Sequence, residues 1–231
     1  MIPIGGLQRF SSIDYPGLLC ATIFTQGCNF RCPYCHNPEL VKKDLFRPPL
    51  SCTEVIDFLK SRINKLDGVC VTGGEPTIHG QNLKDFLEEV KKLGLLVKLD
   101  TNGTNPELLE ELLKKRCIDY VAMDVKAPLS GYAAVTRSPI DTYLIHESIR
   151  IIMNYAQEYE FRTTVIKSLL TRDDLGQIGI LLKGARRYVL QRFVSSRVLD
   201  LEALNDLLCN EYEVEQVAEE MRNYVESVAV R

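Results

Sequence analysis

The sequence predicts an α/β domain built on a parallel sheet, and three observations lead there. Between Leu18 and Phe193, short apolar runs rich in β-branched residues alternate with longer stretches of helical periodicity. The runs are apolar at consecutive positions, as in strands buried on both faces. Helix start and stop signals fall between them. The 231 residues suffice for one well-filled domain, 1–231, with a core at about 15–197 and a C-terminal helical segment at 198–231.

Leu18 to Phe24 reads as the first strand. Ser51 with Glu54 three residues on is a capping-box pattern, opening a helix to about Leu66 that carries Val55, Ile56, Leu59 and Ile63 on one face. Gly68 to Thr72 is the second strand, and Leu83 to Leu93 a helix stopped by Gly94. Leu95 to Asp100 is the third strand. Asn105 caps a helix that has Pro106 at its first position and runs to Lys115. Tyr120 to Val125 is the fourth strand, followed by a looser segment bearing Pro and Gly. A helix from Thr142 to about Glu158, a strand from Phe161 to Ile166, a helix from Asp173 to Lys183 and a strand from Tyr188 to Phe193 complete six βα units. Leu201 to Val228 reads as acidic amphipathic helix, able to close an open barrel or touch a partner. Periodicity leaves both a doubly wound sheet and an incomplete barrel open.

A net charge of −3 carries no electrostatic footprint for nucleic acid. No apolar run approaches the length of a membrane span. The opening MIPIGGLQRF lacks the charged and apolar regions of a signal peptide, so a cytoplasmic location is expected.

Chemistry concentrates where strands end. Cys28, Cys32 and Cys35 follow the first strand as C-x3-C-x2-C in TQGCNFRCPYCHNPEL. A cubane 4Fe–4S cluster takes four thiolates, one per iron, so three leave one iron open for a substrate or cofactor. A structural zinc site would need a second C-x2-C or two histidines, and His36 adjoins Cys35 too closely to share its metal. Three close cysteines cannot pair evenly as disulfides. Cys20, Cys52, Cys70, Cys117 and Cys209 stand singly in apolar surroundings and read as small hydrophobes. Gly73-Gly74-Glu75-Pro76 follows the second strand, where the glycines permit a tight turn or a close approach to a ligand. Asp100-Thr101-Asn102-Gly103 ends the third strand, and Asp124 and Lys126 leave the fourth; each carboxylate could cap the turn that follows it.

The cysteine spacing, with Tyr34 before the third Cys, resembles the signature of radical S-adenosylmethionine (SAM) enzymes. The longer string IDYPGLLCATIFTQGCNFRCPYCHNPEL, from Ile13 to Leu40, resembles the activating enzymes of glycyl-radical enzymes, above all those of anaerobic ribonucleoside-triphosphate reductase. The resemblance extends to about Arg192. It implies a partial (β/α)6 TIM-like barrel with its active site at the C-terminal strand ends. It also implies one 4Fe–4S cluster on Cys28, Cys32 and Cys35, with SAM chelating the open iron through its amino and carboxylate groups. One electron then cleaves a carbon–sulfur bond and releases methionine and a 5′-deoxyadenosyl radical.

The resemblance further implies roles for the strand-end residues. Gly73, Gly74 and Glu75 would meet the SAM amino group, and Lys126 its carboxylate. Arg162 and Gln191 would face the ribose or carboxylate. Asn37 and Asn102 would be cofactor contacts, and Tyr34 would shield the cluster or reach the adenine. Asp100, Thr101 and Asp124, with a main-chain carbonyl near Ala122 or Met123, would hold a monovalent cation. His36 would hydrogen-bond near the cluster or merely pack. Some relatives carry a cysteine-rich ferredoxin-like insert before the GGE turn; here the stretch from His36 to Thr72 holds only Cys52 and Cys70, so one cluster is expected. The implied partners are a glycyl-radical enzyme and a flavodoxin- or ferredoxin-type electron donor. A pyruvate formate-lyase-like partner, a small-molecule substrate and a zinc-binding module are the alternatives.

Overall fold

The computed structural model describes residues 1–194, 198–202 and 211–231. Strands β1 (Ile4–Ser11), β2 (Cys20–Thr25), β3 (Gly68–Gly73), β4 (Leu96–Thr101), β5 (Tyr120–Asp124), β6 (Glu158–Val165), β7 (Tyr188–Arg192) and β8 (Val228–Val230) form one eight-stranded sheet in sequence order. β1 runs antiparallel to β2, and every later pair is parallel. The helices are α1 (Pro38–Val41), α2 (Cys52–Lys60), α3 (Gln81–Lys92), α4 (Pro106–Lys114), α5 (Tyr132–Thr136), α6 (Thr142–Tyr155), α7 (Arg172–Leu181) and α8 (Glu211–Met221).

Strand order decides between the two architectures. A doubly wound sheet reverses its order at a switch point. Here each crossover steps the same way, and right-handed crossovers then place every helix on one face. The sheet curls into a partial barrel, as the resemblance implies.

Local signals explain most boundaries. Ser51 and Glu54 form the capping box at α2. Asn105 accepts the Leu108 N–H at 3.3 Å, with Pro106 at the first helical position of α4. Gly94, at φ 79°, ends α3 in the left-handed region. Some boundaries differ from expectation. α2 stops at Lys60, giving way to turns, and α6 stops at Tyr155, because Glu158 already pairs with Tyr120 in the sheet. β1 and β8 went unread: Gly5 and Gly6 interrupt the β pattern of the first, and the second is three residues long. Val228, read as the end of a helix, instead pairs with Tyr188. Part of that predicted helix, residues 203–210, lies outside the described residues, as does Cys209.

The two faces of the sheet differ in kind. Val71, Leu99, Val121, Met123 and Phe161 point outward and pack under Leu59, Leu83, Leu87, Leu109, Leu112 and Ile149 of the helices. Burying each such side chain is worth about 1.5–3 kcal/mol. The inner face carries a small cluster of Tyr15, Cys20, Cys70, Tyr120 and Ala122. Around it lie charges: Lys98 is 2% exposed and Glu160 fully buried. Cys20, Cys70 and Cys117 are buried and Cys52 half-buried, all as free thiols. Among the described residues no helix is long and apolar enough to cross a membrane.

β8 lies beside β7 at the edge of the sheet, and Arg231, just past it, reaches the buried Glu160 of β6. Arg231 donates to both oxygens of Glu160 at 3.0 Å, Tyr120 Oη donates to it at 3.1 Å, and the Arg187 guanidinium lies 3.4 Å away. A buried carboxylate that loses its partner is strongly destabilising, by about 3–5 kcal/mol. Because Arg187 remains, we expect Arg231→Ala to cost about 2 kcal/mol in urea denaturation. A change within about 0.5 kcal/mol would show that Arg231 is not needed as a partner of Glu160.

Candidate active site

The loops at the C-terminal strand ends surround one cavity, lined by Cys28, Cys32, Tyr34, Cys35, His36, Asn37, Gly73, Gly74, Glu75, Asp100, Thr101, Asn102, Asp124, Lys126, Arg162 and Gln191, while Ala122 and Met123, offered for a cation carbonyl, do not line it. Phe30, Val41, Thr72 and Thr164 line it too and were not read from the sequence. Period-two alternation could have found Thr164, which follows Arg162 by two residues on β6 and pairs with Gln191. Applied to Asp100, it points to Lys98.

Two glycines set how closely the loops approach. Gly73 has φ 118°, a region open chiefly to glycine, and a Cβ there would collide with the Thr25 backbone. A Cβ on Gly74 would fall onto the Gly27 carbonyl. Gly74 N–H donates to Thr25 O at 2.9 Å and Glu75 N–H to Gly27 O at 2.7 Å, so this turn is bolted to the start of the cysteine loop. Those two N–H groups are thereby engaged, and carbonyl oxygens are what the turn can offer an amino group.

Glu75 joins three loops. Its Oε1 accepts from Thr77 N at 3.1 Å, Thr77 Oγ1 at 2.6 Å and Thr101 Oγ1 at 2.7 Å; its Oε2 accepts from Asn102 N at 2.6 Å. Burial raises its pKa above the ordinary value, against the pull of those donors. Asn102 Nδ2 donates to Asn29 Oδ1 at 2.8 Å, and Asn29 Nδ2 to Thr104 Oγ1 at 2.8 Å, tying the cysteine loop to the loop after β4.

A second network crosses the inner sheet face. Lys98 pairs with Asp100 Oδ1, and Arg162 reaches Asp100 Oδ2 at 3.1 Å and Asp124 Oδ1 at 2.7 Å. Lys126 completes it at 2.8 Å from Asp124 Oδ2, its ammonium 5.8 Å from the Tyr34 ring centroid. Burial alone would raise the pKa of Asp124; Arg162 and Lys126 together outweigh it and hold the carboxyl below its usual range. Asp100 is held down in the same way by Arg162 and Lys98. For Lys126, burial opposes the charge, but Asp124 prevails and raises its pKa.

The thiols face the same cavity. Burial pushes Cys28 up to about 12 although the Phe30 N–H donates to its sulfur at 3.4 Å, and burial also raises Cys32 and Cys35. Thiols this desolvated become good thiolates only once a metal replaces the proton. A single ion needs its ligands in one coordination sphere, and no three His, Cys, Asp or Glu side chains among the described residues are so placed. Three thiols spread around one loop suit a cubane, which takes one thiolate per iron. His36 is exposed at the rim of the cavity, its Nε2 2.9 Å from Val194 O and its ring centroid 5.8 Å from that of Phe193.

Comparison with known proteins gives the family and the fold. Residues 22–174 match the family described as the Radical SAM superfamily. The chain is 32% identical, over 99% of its length and 95% of the relative's, to a Methanocaldococcus jannaschii protein named "Putative glycyl-radical enzyme activating enzyme". It is 32% identical, over 67% of its length and 68% of the relative's, to the pyruvate formate-lyase 1-activating enzyme of Escherichia coli strain K12. SuiB of Streptococcus suis bound to S-adenosylmethionine shares the fold, with a TM-score of 0.66 over 88% of this chain and 48% of that one at 14% identity. Fold and site thus define a partial-barrel enzyme with a three-cysteine loop at its mouth. The chain belongs to the radical SAM superfamily, among the glycyl-radical-enzyme activating enzymes.

Two measurements probe the geometry. Gly74→Ala forces the turn off the Gly27 carbonyl, so iron bound per chain after reconstitution should fall by at least about half, and retention near wild type would refute the close packing. Asp100 and Asp124 have depressed pKa values in the folded chain, so their contribution to stability is complete above about pH 5 and is lost as pH falls through about 4 toward the folded values. In urea denaturation across that range, Asp124→Asn should flatten the slope of stability against pH; an unchanged slope would contradict the pairing.

Proposed function

We propose that this chain activates anaerobic ribonucleoside-triphosphate reductase by abstracting a hydrogen atom from one glycine of that enzyme. The observation that carries the chemistry is the single cavity in which the three-cysteine loop, the GGEP turn and the charged strand ends of β4 to β6 meet. Resemblance of the Ile13–Leu40 string supports the choice of partner. A pyruvate formate-lyase-like partner is the second reading, favoured by the name of the Escherichia coli relative.

In this reading Cys28, Cys32 and Cys35 hold a 4Fe–4S cluster and leave one iron for SAM. When bound, the cluster and SAM supply a 5′-deoxyadenosyl radical through one-electron cleavage of a carbon–sulfur bond. The residues do the rest by placement. Glu75 Oε2, with one backbone donor, has a lone pair left for the SAM amino group, beside the carbonyls of Gly73 and Gly74. Lys126 and Arg162 present positive charge to the carboxylate, and Gln191, Asn37 and Asn102 line the remaining wall. Tyr34, 5% exposed, shields the cluster side from water. The partner's glycine loop must bring its Cα into near contact with the reacting carbon. A flavodoxin- or ferredoxin-type donor delivers the electron, in a cytoplasmic, anaerobic setting.

Electron paramagnetic resonance under anaerobic conditions tests the proposal. Reconstituted protein, reductant, SAM and the candidate reductase should yield a glycyl-radical doublet, abolished by Cys32→Ala or by changing the target glycine to Ala. A doublet obtained only with pyruvate formate-lyase would select the second reading. Absence of any iron–sulfur signal after proper reconstitution would sink both.

A further inference from the structure

The monovalent cation implied by the resemblance does not fit the donors present. All four oxygens of Asp100 and Asp124 already face a protein cation: Lys98 and Arg162 on one carboxylate, Arg162 and Lys126 on the other. Thr101 gives its hydroxyl proton to Glu75 and accepts the Gly103 N–H at 3.1 Å. The candidate carbonyls at Ala122 and Met123 lie within β5, flanked by β4 and β6. A metal ion here would sit against three positive charges and would have to displace one of them.

We infer that the ammonium of Lys98 is a built-in counter-ion of this site, so that the chain binds SAM without a monovalent metal ion. This rests on the reading that SAM occupies the cavity. Lys98 sits in mid-β4, 2% exposed, in register with Cys70 on one side and Tyr120 on the other. Besides Asp100 it meets the Cys70 sulfur at 3.7 Å and the Tyr120 ring centroid at 5.9 Å, while Arg162, on the other oxygen of the same carboxylate, repels it. Burial pushes the Cys70 thiol well above its ordinary pKa, so the thiol stays protonated. The ammonium is therefore committed to Asp100.

The charges then leave one position open. Lys98, Arg162 and Lys126 face two carboxylates, so one positive charge is left over. Glu160, deeper in the barrel, has its own direct partners in Arg231 and Arg187 and makes no ion pair with Lys98, Arg162 or Lys126 among the described residues. Glu75 is held by neutral donors only and remains for the ligand's amino group. The ligand's carboxylate completes the set. Without Lys98 the surplus vanishes, and the same carboxylate would bring a negative charge that a metal ion would have to offset.

The test is the SAM dissociation constant of the anaerobically reconstituted protein in KCl, NaCl or choline chloride at equal ionic strength. Wild type should bind SAM equally in all three, within about twofold. Lys98→Met should bind at least about fivefold more tightly in K⁺ or Na⁺ than in choline, while Lys98→Arg should behave as wild type. A merely structural lysine would lower stability on substitution without creating that dependence. Wild-type affinity strengthened about fivefold or more by K⁺ or Na⁺ overturns the inference whether or not the variants fold. So does a Lys98→Met protein that folds and is as indifferent to cations as wild type. Either result leaves the functional reading standing; failure to bind SAM in every salt would remove that reading, and this inference with it.

Discussion

Charged side chains on the inner face of a sheet are cut off from bulk water, and each costs several kcal/mol unless a neighbouring strand supplies its partner. In this protein that requirement governs β4, β5 and β6 together. Lys98 and Asp100 come from the first of these strands, Asp124 from the second and Arg162 from the third. Arg162 reaches Asp100 and Asp124 at once only because Asp124 stands directly beside Arg162 and Asp100 beside Ala122. A slip of one residue would turn each charge into the apolar layer under the helices. Pairing of charges and packing of the outer face therefore demand the same register.

Asp100, Asp124, Lys126 and Arg162 of the same network line the candidate site. Interior charge, unusual in a packed domain, makes the polar wall of a partly buried cavity, where fixed charges act more strongly on a bound ligand than they would in water. At the cavity mouth Glu75 serves the loops as Arg162 serves the strands. One carboxylate collects donors from its own turn and from the loop after β4, and Asn102 passes the link on to Asn29 between Cys28 and Cys32. Cysteine loop, glycine turn and strand ends are thus held at fixed separations before any ligand arrives, which lowers the ordering required on binding.

Much of this was legible in the chain. Apolar runs and capping signals located β2 to β7 and α2 to α4, since each depends on a period or a cap contained within a few residues. The cysteine spacing and the GGEP turn were legible for the same reason. β1 and β8 were not: glycines erase the pattern of one, and the other is too short to show a period. Lys98 was hidden because a lone polar residue in an apolar run looks like an exception until the far wall of the barrel is known, and Glu160 because it falls just before the stretch that reads as a strand, Phe161 to Ile166. His36, adjacent to a cysteine in sequence, proved to point toward Val194 and Phe193.

The sequence by itself determined the order of the βα units, the three thiols on one loop and the residue types available at each strand end. It did so because these are local matters of spacing and side-chain chemistry. Only the tertiary structure decided that the strands lie in sequential order and close as a partial barrel, because that follows from which strand finds which neighbour. Tertiary contacts alone also decided that Asp100 and Asp124 are answered by Lys98, Arg162 and Lys126. Charge partners on separate strands, such as Arg162 with Asp100, stand 62 residues apart in sequence, and no local period records that they will meet.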